Sequence, residues 1–369
     1  MRTSDVARLF DAPGPFLSIY LDTKGDVENA AFRVATRWRT LRGRLLDAGV
    51  PEATLEAVDP LVEGSHTAGA TLAVIAAADG VVYAGSMPHP PPQDWIVRQG
   101  TLPYVIPLLV WVQSLIPHVA VLASRAHAEL AARTPERADR TDQDERVEVR
   151  GERSHITRSA PGGWSQPRYQ HHAEVQWERN ATEVAEVLTR IADQVRPRFI
   201  AAAGDVRALE LLREQSPKRV REIIVVVGGE LDSLDRVLEE AEKLAATTSE
   251  ADTRALLDEF EQERGQHDRA ADGPEAAFDA LARHQVRVLL VRDDPGDERS
   301  AWFGEEPGQV ALDREALVVE GEPIPAEGRL VDVAVRAALG TGAEVRVLDP
   351  DTDGRGPTGG LGAVLRYSI

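Results

Sequence analysis

The sequence predicts an α/β protein with three domains. Short apolar runs that suit buried strands alternate with segments whose apolar residues recur every three or four positions, as on one face of a helix. Phe16–Leu21 and Thr71–Ala76 are strands of this kind, and Trp177–Val195 is a long helical segment. A chain of 369 residues is expected to form two or three domains. We place their bounds at residues 1–113, 114–270 and 271–369.

The first domain is predicted to be an α/β unit with a hairpin. Val81–Tyr83 follows the Asp79-Gly80 turn and is expected to pair with the strand before it. Prolines are frequent from Pro88 to Pro107. Because proline cannot donate a backbone hydrogen bond, they predict a connection without regular structure.

A basic helix is also predicted in the first domain. Its apolar face consists of Val34, Trp38, Leu41 and Leu45. Five arginines without an intervening acidic residue lie around this face: Arg33, Arg37, Arg39, Arg42 and Arg44. At about 100° per residue, Arg33, Arg37 and Arg44 share one edge of the apolar stripe. Two interpretations stay open, namely arginine stems that cover the core and arginines that contact phosphate.

The second domain is expected to contain a mostly parallel sheet, because its strands alternate with helices. The strand Phe199–Ala203 ends at Gly204-Asp205, directly before a predicted helix that starts at Val206. Ligands often bind at the carboxyl ends of parallel strands. Capping of the helix N-terminus is nevertheless the favoured role for Asp205.

A glycine- and proline-rich loop precedes the long helix of this domain. At its centre lies Gly162-Gly163-Trp164-Ser165-Gln166, and the helix is expected to begin near Pro167 and to measure roughly 40 Å. The loop is therefore expected to project from the domain. Basic and histidine side chains surround it in sequence: Arg150, Arg153, His155, Arg158, Arg168, His171 and His172. Such a patch favours phosphate, so the sequence predicts an RNA-binding loop.

Several function classes are disfavoured by composition. The chain has no cysteine, no HExxH or GxSxG motif and no apolar run of about 18 residues, so we expect no metal or other cofactor and no membrane span. The N-terminus lacks a secretory pattern, so a cytoplasmic location is expected. The net charge of −19 at first sight argues against a nucleic-acid partner such as RNA, although its distribution leaves local basic patches; DNA is not expected as a partner.

Two motifs carry a family resemblance. The Gly162-Gly163-Trp164 loop before a long helix resembles the GGQ loop of archaeo-eukaryotic class-one release factors and Pelota, and the C-terminal run Gly359–Tyr367 is similar to the end of those proteins. The chain looks similar to the bacterial branch of this superfamily, which includes the ribosome hibernation factor Balon and its actinobacterial relatives. The resemblance covers about residues 114–369. It implies a loop-on-helix extension in the middle domain and a C-terminal α/β/α domain that resembles a kink-turn-binding protein.

The resemblance also implies partners and a chemistry. The ribosome, with ribosomal RNA at the aminoacyl-tRNA site, and a translational GTPase such as elongation factor Tu are the expected partners. In release factors the glutamine of GGQ promotes hydrolysis of peptidyl-tRNA, whereas Trp164 offers one donor and no acceptor. A non-catalytic factor on idle or stressed ribosomes is therefore expected. A peptidyl-tRNA hydrolase acting in termination or rescue, and a stress adaptor that binds another RNA or a protein, are the alternatives.

Overall fold

Two compact units make up the protein. The computed structural model describes residues 2–24, 29–65, 70–124, 127–134, 145–150, 166–228, 232–266, 268–294, 296–318, 323–349 and 354–367. Met1–Gln113 and Ala251–Ile369 together form what we call the terminal unit, and Ser114–Glu250 forms the middle unit. Both units combine strands and helices, which confirms the mixed α/β class. The division into three domains stays a prediction.

The N-terminal half of the terminal unit is a four-stranded antiparallel sheet with the order β3-β2-β1-β4. Its strands are β1 (Phe16–Asp22), β2 (Thr71–Ala77), β3 (Gly80–Met87) and β4 (Trp95–Gly100), and its helices are α1 (Thr3–Ala7), α2 (Ala30–Asp47), α3 (Glu52–Glu63) and α4 (Ile106–Ser114). The pairing of β3 with β2 confirms the predicted hairpin. The apolar face of α2 packs on this sheet, because Val34, Trp38 and Leu41 share one buried cluster with Leu17 and Ile19 of β1.

The proline-rich connection is more regular than the sequence predicts, so that prediction was wrong. Residues Trp95–Gly100 form β4, which pairs with β1, and Ile106–Ser114 form α4. Pro107 lies in the first turn of α4, where backbone N–H groups have no acceptor within the helix, so the lack of an N–H group in proline breaks no helical hydrogen bond. The prolines therefore flank or begin these elements and do not interrupt them.

The middle unit contains a five-stranded sheet with the order β7-β6-β5-β8-β9. Its strands are β5 (His118–Ala123), β6 (His127–Arg133), β7 (Glu145–Arg150), β8 (Phe199–Gly204) and β9 (Ile224–Val226), and its helices are α5 (Gln166–Val195), α6 (Val206–Gln215) and α7 (Lys218–Arg221), with the first part of α8 (Leu234–Gln266). β5 and β8 are parallel, as are β8 and β9, whereas β6 pairs antiparallel with both of its neighbours. The expectation of a mostly parallel sheet was wrong, because the short connection from β5 to β6 permits only a hairpin.

The C-terminal half of the terminal unit is built on a sheet with the order β10-β16-β11-β15, in which only β11 and β15 are parallel. Its elements are β10 (Ala270–Asp272), α9 (Pro274–Ala282), β11 (Val286–Arg292), α10 (Leu330–Gly340), β15 (Glu344–Leu348) and β16 (Leu361–Leu365), with a small sheet of β12 (Ser300–Phe303), β13 (Val310–Ala311) and β14 (Ala326–Arg329). The last turns of α8 pack here, since Leu257 and Phe260 share a buried cluster with Val288 and Leu290.

A polar cluster joins the two halves of the terminal unit. The Tyr104 hydroxyl donates a hydrogen bond to Asp293 over 2.5 Å, and the Arg329 guanidinium also donates to Asp293. The guanidinium groups of Arg98 and Arg329 lie 5.0 and 5.7 Å from the centroid of the Tyr104 ring. Because two positive charges face one aromatic ring next to a carboxylate, the halves are fixed to each other by charge as well as by packing.

Asp332 on α10 completes this cluster. Its carboxylate lies 3.5 Å from Arg329, and the residue is only 7% exposed. Burial raises the pKa of Asp332 from 3.8 to about 7, and the nearby Asp293 acts in the same direction, while Arg329 and Arg98 oppose the shift. The folded protein therefore holds a proton on Asp332 at pH values where the unfolded chain has released it.

We predict that Asp332 makes the terminal unit less stable as the pH rises from about 4 to 7. Above pH 3.8 the unfolded chain binds fewer protons at this site than the folded protein does, so the free energy of unfolding decreases until the folded carboxyl has ionised near pH 7. The Asp332→Asn variant should lack this decrease. Urea unfolding at pH 5 and pH 8 measures it, with the exposed Asp313→Asn as the matched control. Equal pH dependence in the wild type and the Asp332→Asn variant would contradict the assignment.

Candidate functional site

The candidate site is built on the long helix of the middle unit. The apolar side of α5 packs on one face of the five-stranded sheet, where Val184, Leu188 and Ala192 share a buried cluster with Val121 and Ile200. Leu188 is fully buried. The predicted period of this helix is therefore confirmed, and its C-terminal half is fixed to the sheet.

The N-terminal half of α5 extends well before its anchored residues. The helix begins at Gln166, and Asn180 and Ala181 are its first buried residues in the part whose side chains the structure describes. At 1.5 Å per residue the whole 30-residue helix measures about 45 Å, and its first 14 residues account for roughly 21 Å. A helix that begins within two residues of Trp164 thus connects the predicted loop to a rigid sheet.

The topology places the loop connections at one edge of this sheet. β5, β7 and β8 run in the same direction, so Arg150 at the end of β7 lies on the same edge as Ala123 and Gly204. Since α5 connects β7 to the parallel strand β8, it runs back along the sheet, and its N-terminus points toward that edge. Arg150 and Gln166, the described residues on either side of 151–165, therefore both lie on the carboxyl side of the parallel strands.

The predicted loop residues fall into two groups. The structure describes the backbone of Arg150 at the end of β7 and of Gln166 and Arg168 in the first turn of α5. The remaining predicted residues lie outside the described part of the chain: Gly162, Gly163, Trp164, Ser165, Arg153, His155 and Arg158. Their contacts with RNA stay predictions.

Asp205 at the same edge caps a helix. Its carboxylate accepts hydrogen bonds from the backbone N–H groups of Arg207 and Ala208, over 3.0 and 3.2 Å. These are two of the N–H groups at the start of α6 that lack a partner within the helix. The capping role predicted for Asp205 is confirmed.

The arginines of α2 have different surroundings. Arg37 is largely buried and lies 3.0 Å from Asp22 and 2.9 Å from Asp94. The Arg44 guanidinium lies 5.5 Å from the centroid of the Trp95 ring. Arg33 is exposed and has no ion-pair partner among the described residues. The structure thus brings Arg37 into the fold and leaves Arg33 available, while contact of either residue with phosphate stays a prediction.

A second set of basic residues was missed from the sequence. Arg196 and Arg198 follow the last turn of α5, and Lys218, Arg219 and Arg221 form most of α7. All five are exposed. The signal is present in the runs Arg-Pro-Arg and Pro-Lys-Arg-Val-Arg, but 18 residues separate them, and only the pairing of β8 with β9 shows that they lie together.

No group of three or more histidine or acidic side chains that could hold a metal ion occurs in the described part of the chain. Within that same part, every helix is too short or too polar to cross a membrane.

Comparison with known proteins finds similarity to a protein family in the middle of the chain. Residues 117–266 match the model of bacterial archaeo-eukaryotic release factor family 2. The uncharacterized protein Rv2629 of Mycobacterium tuberculosis is 27% identical over 380 residues, covering 100% of this chain and 97% of that protein. A special similarity to Balon stays a prediction.

Solved structures give weaker similarities. An archaeal translation termination factor, aRF1, is 16% identical with a TM-score of 0.26, and the two chains are covered to 100% and 99%. Pelota of Archaeoglobus fulgidus is 13% identical with a TM-score of 0.36, at 99% and 91% coverage. A model of ribosome-bound archaeal Pelota and ABCE1 is 12% identical with a TM-score of 0.41, at 100% and 94% coverage. Scores this low carry no argument, so the family match is limited to residues 117–266.

We predict that Arg37 stabilises the fold and that Arg33 does not. Replacing Arg37 with Ala leaves the largely buried Asp22 without its ion-pair partner, which should lower the free energy of unfolding by about 1 to 3 kcal/mol. Replacing Arg33 with Ala should change it by less than about 0.5 kcal/mol. Urea unfolding of both variants checks this, and equal effects would contradict the different surroundings of the two residues.

Proposed function

We propose, on the premise that residues 117–266 belong to bacterial archaeo-eukaryotic release factor family 2, that the protein is a non-catalytic ribosome-binding factor. It occupies the aminoacyl-tRNA site of idle or stressed ribosomes and directs the Gly162-Gly163-Trp164 loop toward the peptidyl transferase centre. The observation that carries the proposal is α5. Its C-terminal half is fixed to the sheet by residues such as Leu188, and its N-terminus lies directly behind the loop.

The reach of α5 suits this role. The peptidyl transferase centre lies deep within the large subunit, so a loop that enters it needs a narrow and stiff support. A single helix has a diameter of about 10 to 12 Å, and the first 14 residues of α5 span roughly 21 Å. The C-terminal half of α5 is fixed to the sheet, so the N-terminus of the helix has a defined position relative to that sheet, because protein interiors are closely packed and deform little.

The chemistry of the loop favours binding over hydrolysis. The indole of Trp164 has one N–H donor and no acceptor, so it cannot orient a water molecule as a glutamine amide can. Gln166, the nearest glutamine, begins α5 and therefore belongs to the helix and not to the loop. Stacking of an indole on an RNA base contributes about 1 to 3 kcal/mol. These features support a factor that occupies the centre without cleaving peptidyl-tRNA.

The terminal unit contributes two further proposed contacts. Arg33 and Arg44 on the exposed side of α2 are available to phosphate, so affinity for the ribosome should decrease steeply with salt. Residues 271–369 contain ten Arg and nineteen Asp or Glu, a net charge of −9 that suits a protein better than RNA. A translational GTPase such as elongation factor Tu is the partner we propose for them.

We predict that replacing Trp164 with Ala weakens ribosome binding by about 5- to 150-fold, which corresponds to the loss of about 1 to 3 kcal/mol of stacking. The dissociation rate should account for most of the change. The melting temperature should stay constant, because Trp164 precedes the anchored residues of α5. Cosedimentation with purified ribosomes and stopped-flow dissociation measure the effect, with Tyr367→Ala as the control because Tyr367 is 54% exposed and far from the loop in sequence.

Release of labelled peptide from peptidyl-tRNA on the ribosome separates the proposal from the hydrolase alternative. The wild type should release no more peptide than buffer does. Rapid release by the wild type would contradict a non-catalytic role, and a wild type that fails to sediment with ribosomes would favour the adaptor alternative. A lower melting temperature of the Trp164→Ala variant with unchanged affinity would assign Trp164 to packing.

A further inference from the structure

A basic surface lies at the end of α5 that is opposite to the loop. We call it the foot patch, and it consists of Arg190, Arg196, Arg198, Lys218, Arg219 and Arg221, all of them exposed. The side chain of Lys218 is 86% exposed and that of Arg219 is 58% exposed. None of these residues belongs to the loop or to its surroundings in sequence.

The strand order brings the two halves of the patch together. Arg198 immediately precedes β8, and its N–H group donates to the carbonyl of Pro117 over 2.7 Å. α7 immediately precedes β9, which is the parallel neighbour of β8, and the N–H group of Ile200 donates to the carbonyl of Ile223 over 2.8 Å. Because parallel strands begin at the same edge, both basic runs lie at the amino edge of this sheet.

An ion pair connects α7 to the last turn of α5. Two hydrogen bonds of 2.8 and 2.9 Å join the Arg219 guanidinium to both carboxylate oxygens of Asp193. Arg190 lies three positions before Asp193, so it shares that side of the helix, and Arg196 directly follows the last residue of α5. Asp193 therefore pairs with Arg219, and two further arginines lie close to it along the chain.

The local charge is strongly positive on an acidic chain. Residues 190–198 and 213–222 contain seven Arg or Lys and three Asp or Glu, a net charge of +4 in a chain whose total is −19. The only apolar residue of α7, Val220, is 1% exposed and packs in the sheet core. Protein interfaces usually centre on exposed apolar or aromatic anchors, and α7 presents only charges.

We propose that the foot patch binds the phosphate backbone of RNA. Guanidinium groups donate paired hydrogen bonds to phosphate oxygens, and several adjacent cations gain affinity by releasing counterions. The patch lies about 45 Å from the start of α5, so the helix separates two RNA contacts, the loop at one end and the patch at the other. That the RNA is ribosomal rests on the proposed function, whereas recognition of phosphate does not.

A double charge reversal tests the patch. In the Arg196→Glu, Lys218→Glu variant, both altered side chains are exposed and neither makes the Asp193 ion pair. The control is Arg236→Glu, Lys243→Glu on α8, which makes the same chemical change at side chains that are 59% and 70% exposed. Cations at the C-terminus of α5 also complement the helix dipole, so the charge reversal could lower the melting temperature. In that case the Arg196→Gln, Lys218→Gln variant, which only removes the two charges, is used instead.

The probe is a fluorescent RNA duplex of mixed sequence, with binding followed by anisotropy between 50 and 300 mM salt. The loss of two phosphate contacts should weaken binding roughly 10- to 100-fold at 0.1 M salt and reduce the slope of log affinity against log salt by about 2. The control variant should change affinity less than about twofold. Equal losses in the two variants, unchanged affinity of the patch variant, or no binding of the wild type at 50 mM salt would overturn the proposal.

Cosedimentation of the same three proteins with ribosomes distinguishes this inference from the proposed function. If the wild type binds the duplex through the patch but does not sediment with ribosomes, the patch binds RNA phosphate and the proposed ribosomal role is refuted. If the wild type and the patch variant sediment equally with ribosomes, the patch does not contact the ribosome, and the proposed ribosomal role is unaffected. Crosslinking of the patch to a ribosomal protein and not to RNA would also overturn the proposal.

Discussion

The burial of one face of α5 against the five-stranded sheet is the interaction on which the functional account depends. Leu188 is fully buried there, and burial of a leucine side chain contributes about 1.5 to 3 kcal/mol. With Val184 and Ala192 it fixes the direction of the helix relative to β8. A helix with this anchor can hold a loop beyond one edge of the sheet and a charged patch at the other edge. A freely rotating helix could hold neither in a defined position.

The terminal unit shows a second constraint, which acts over a long distance in sequence. Tyr104 and Asp293 are hydrogen-bonded, and Gln113 forms two hydrogen bonds with the backbone of Val347, over 2.9 and 3.0 Å. Residues 1–113 and 251–369 therefore fold as one unit, and the chain of the middle unit leaves and re-enters it. Asp332 lies at this junction, and burial raises its pKa to about 7. The free energy of unfolding of the terminal unit therefore depends on pH.

Sequence patterns over a few neighbouring residues predicted those structural features that depend only on neighbouring residues. The period of α5, the hairpin of β2 and β3, and the cap at Asp205 depend on neighbouring residues and could be predicted from them. Strand order is a property of the whole sheet, so the antiparallel pairing of β6 and the convergence of Arg196 with Lys218 were not predictable in this way. Arg37 illustrates the same limit, because Asp94, one of its two partners, lies 57 positions away.

The position of the protein on the ribosome tests the central claim most directly. Electron cryomicroscopy of the wild type bound to idle ribosomes should show α5 in the aminoacyl-tRNA site, with its N-terminus toward the peptidyl transferase centre and Trp164 stacked on a base of ribosomal RNA. The foot patch should face phosphates about 45 Å from the start of the helix. Density for the protein at another site, or an α5 that points away from the peptidyl transferase centre, would contradict the account.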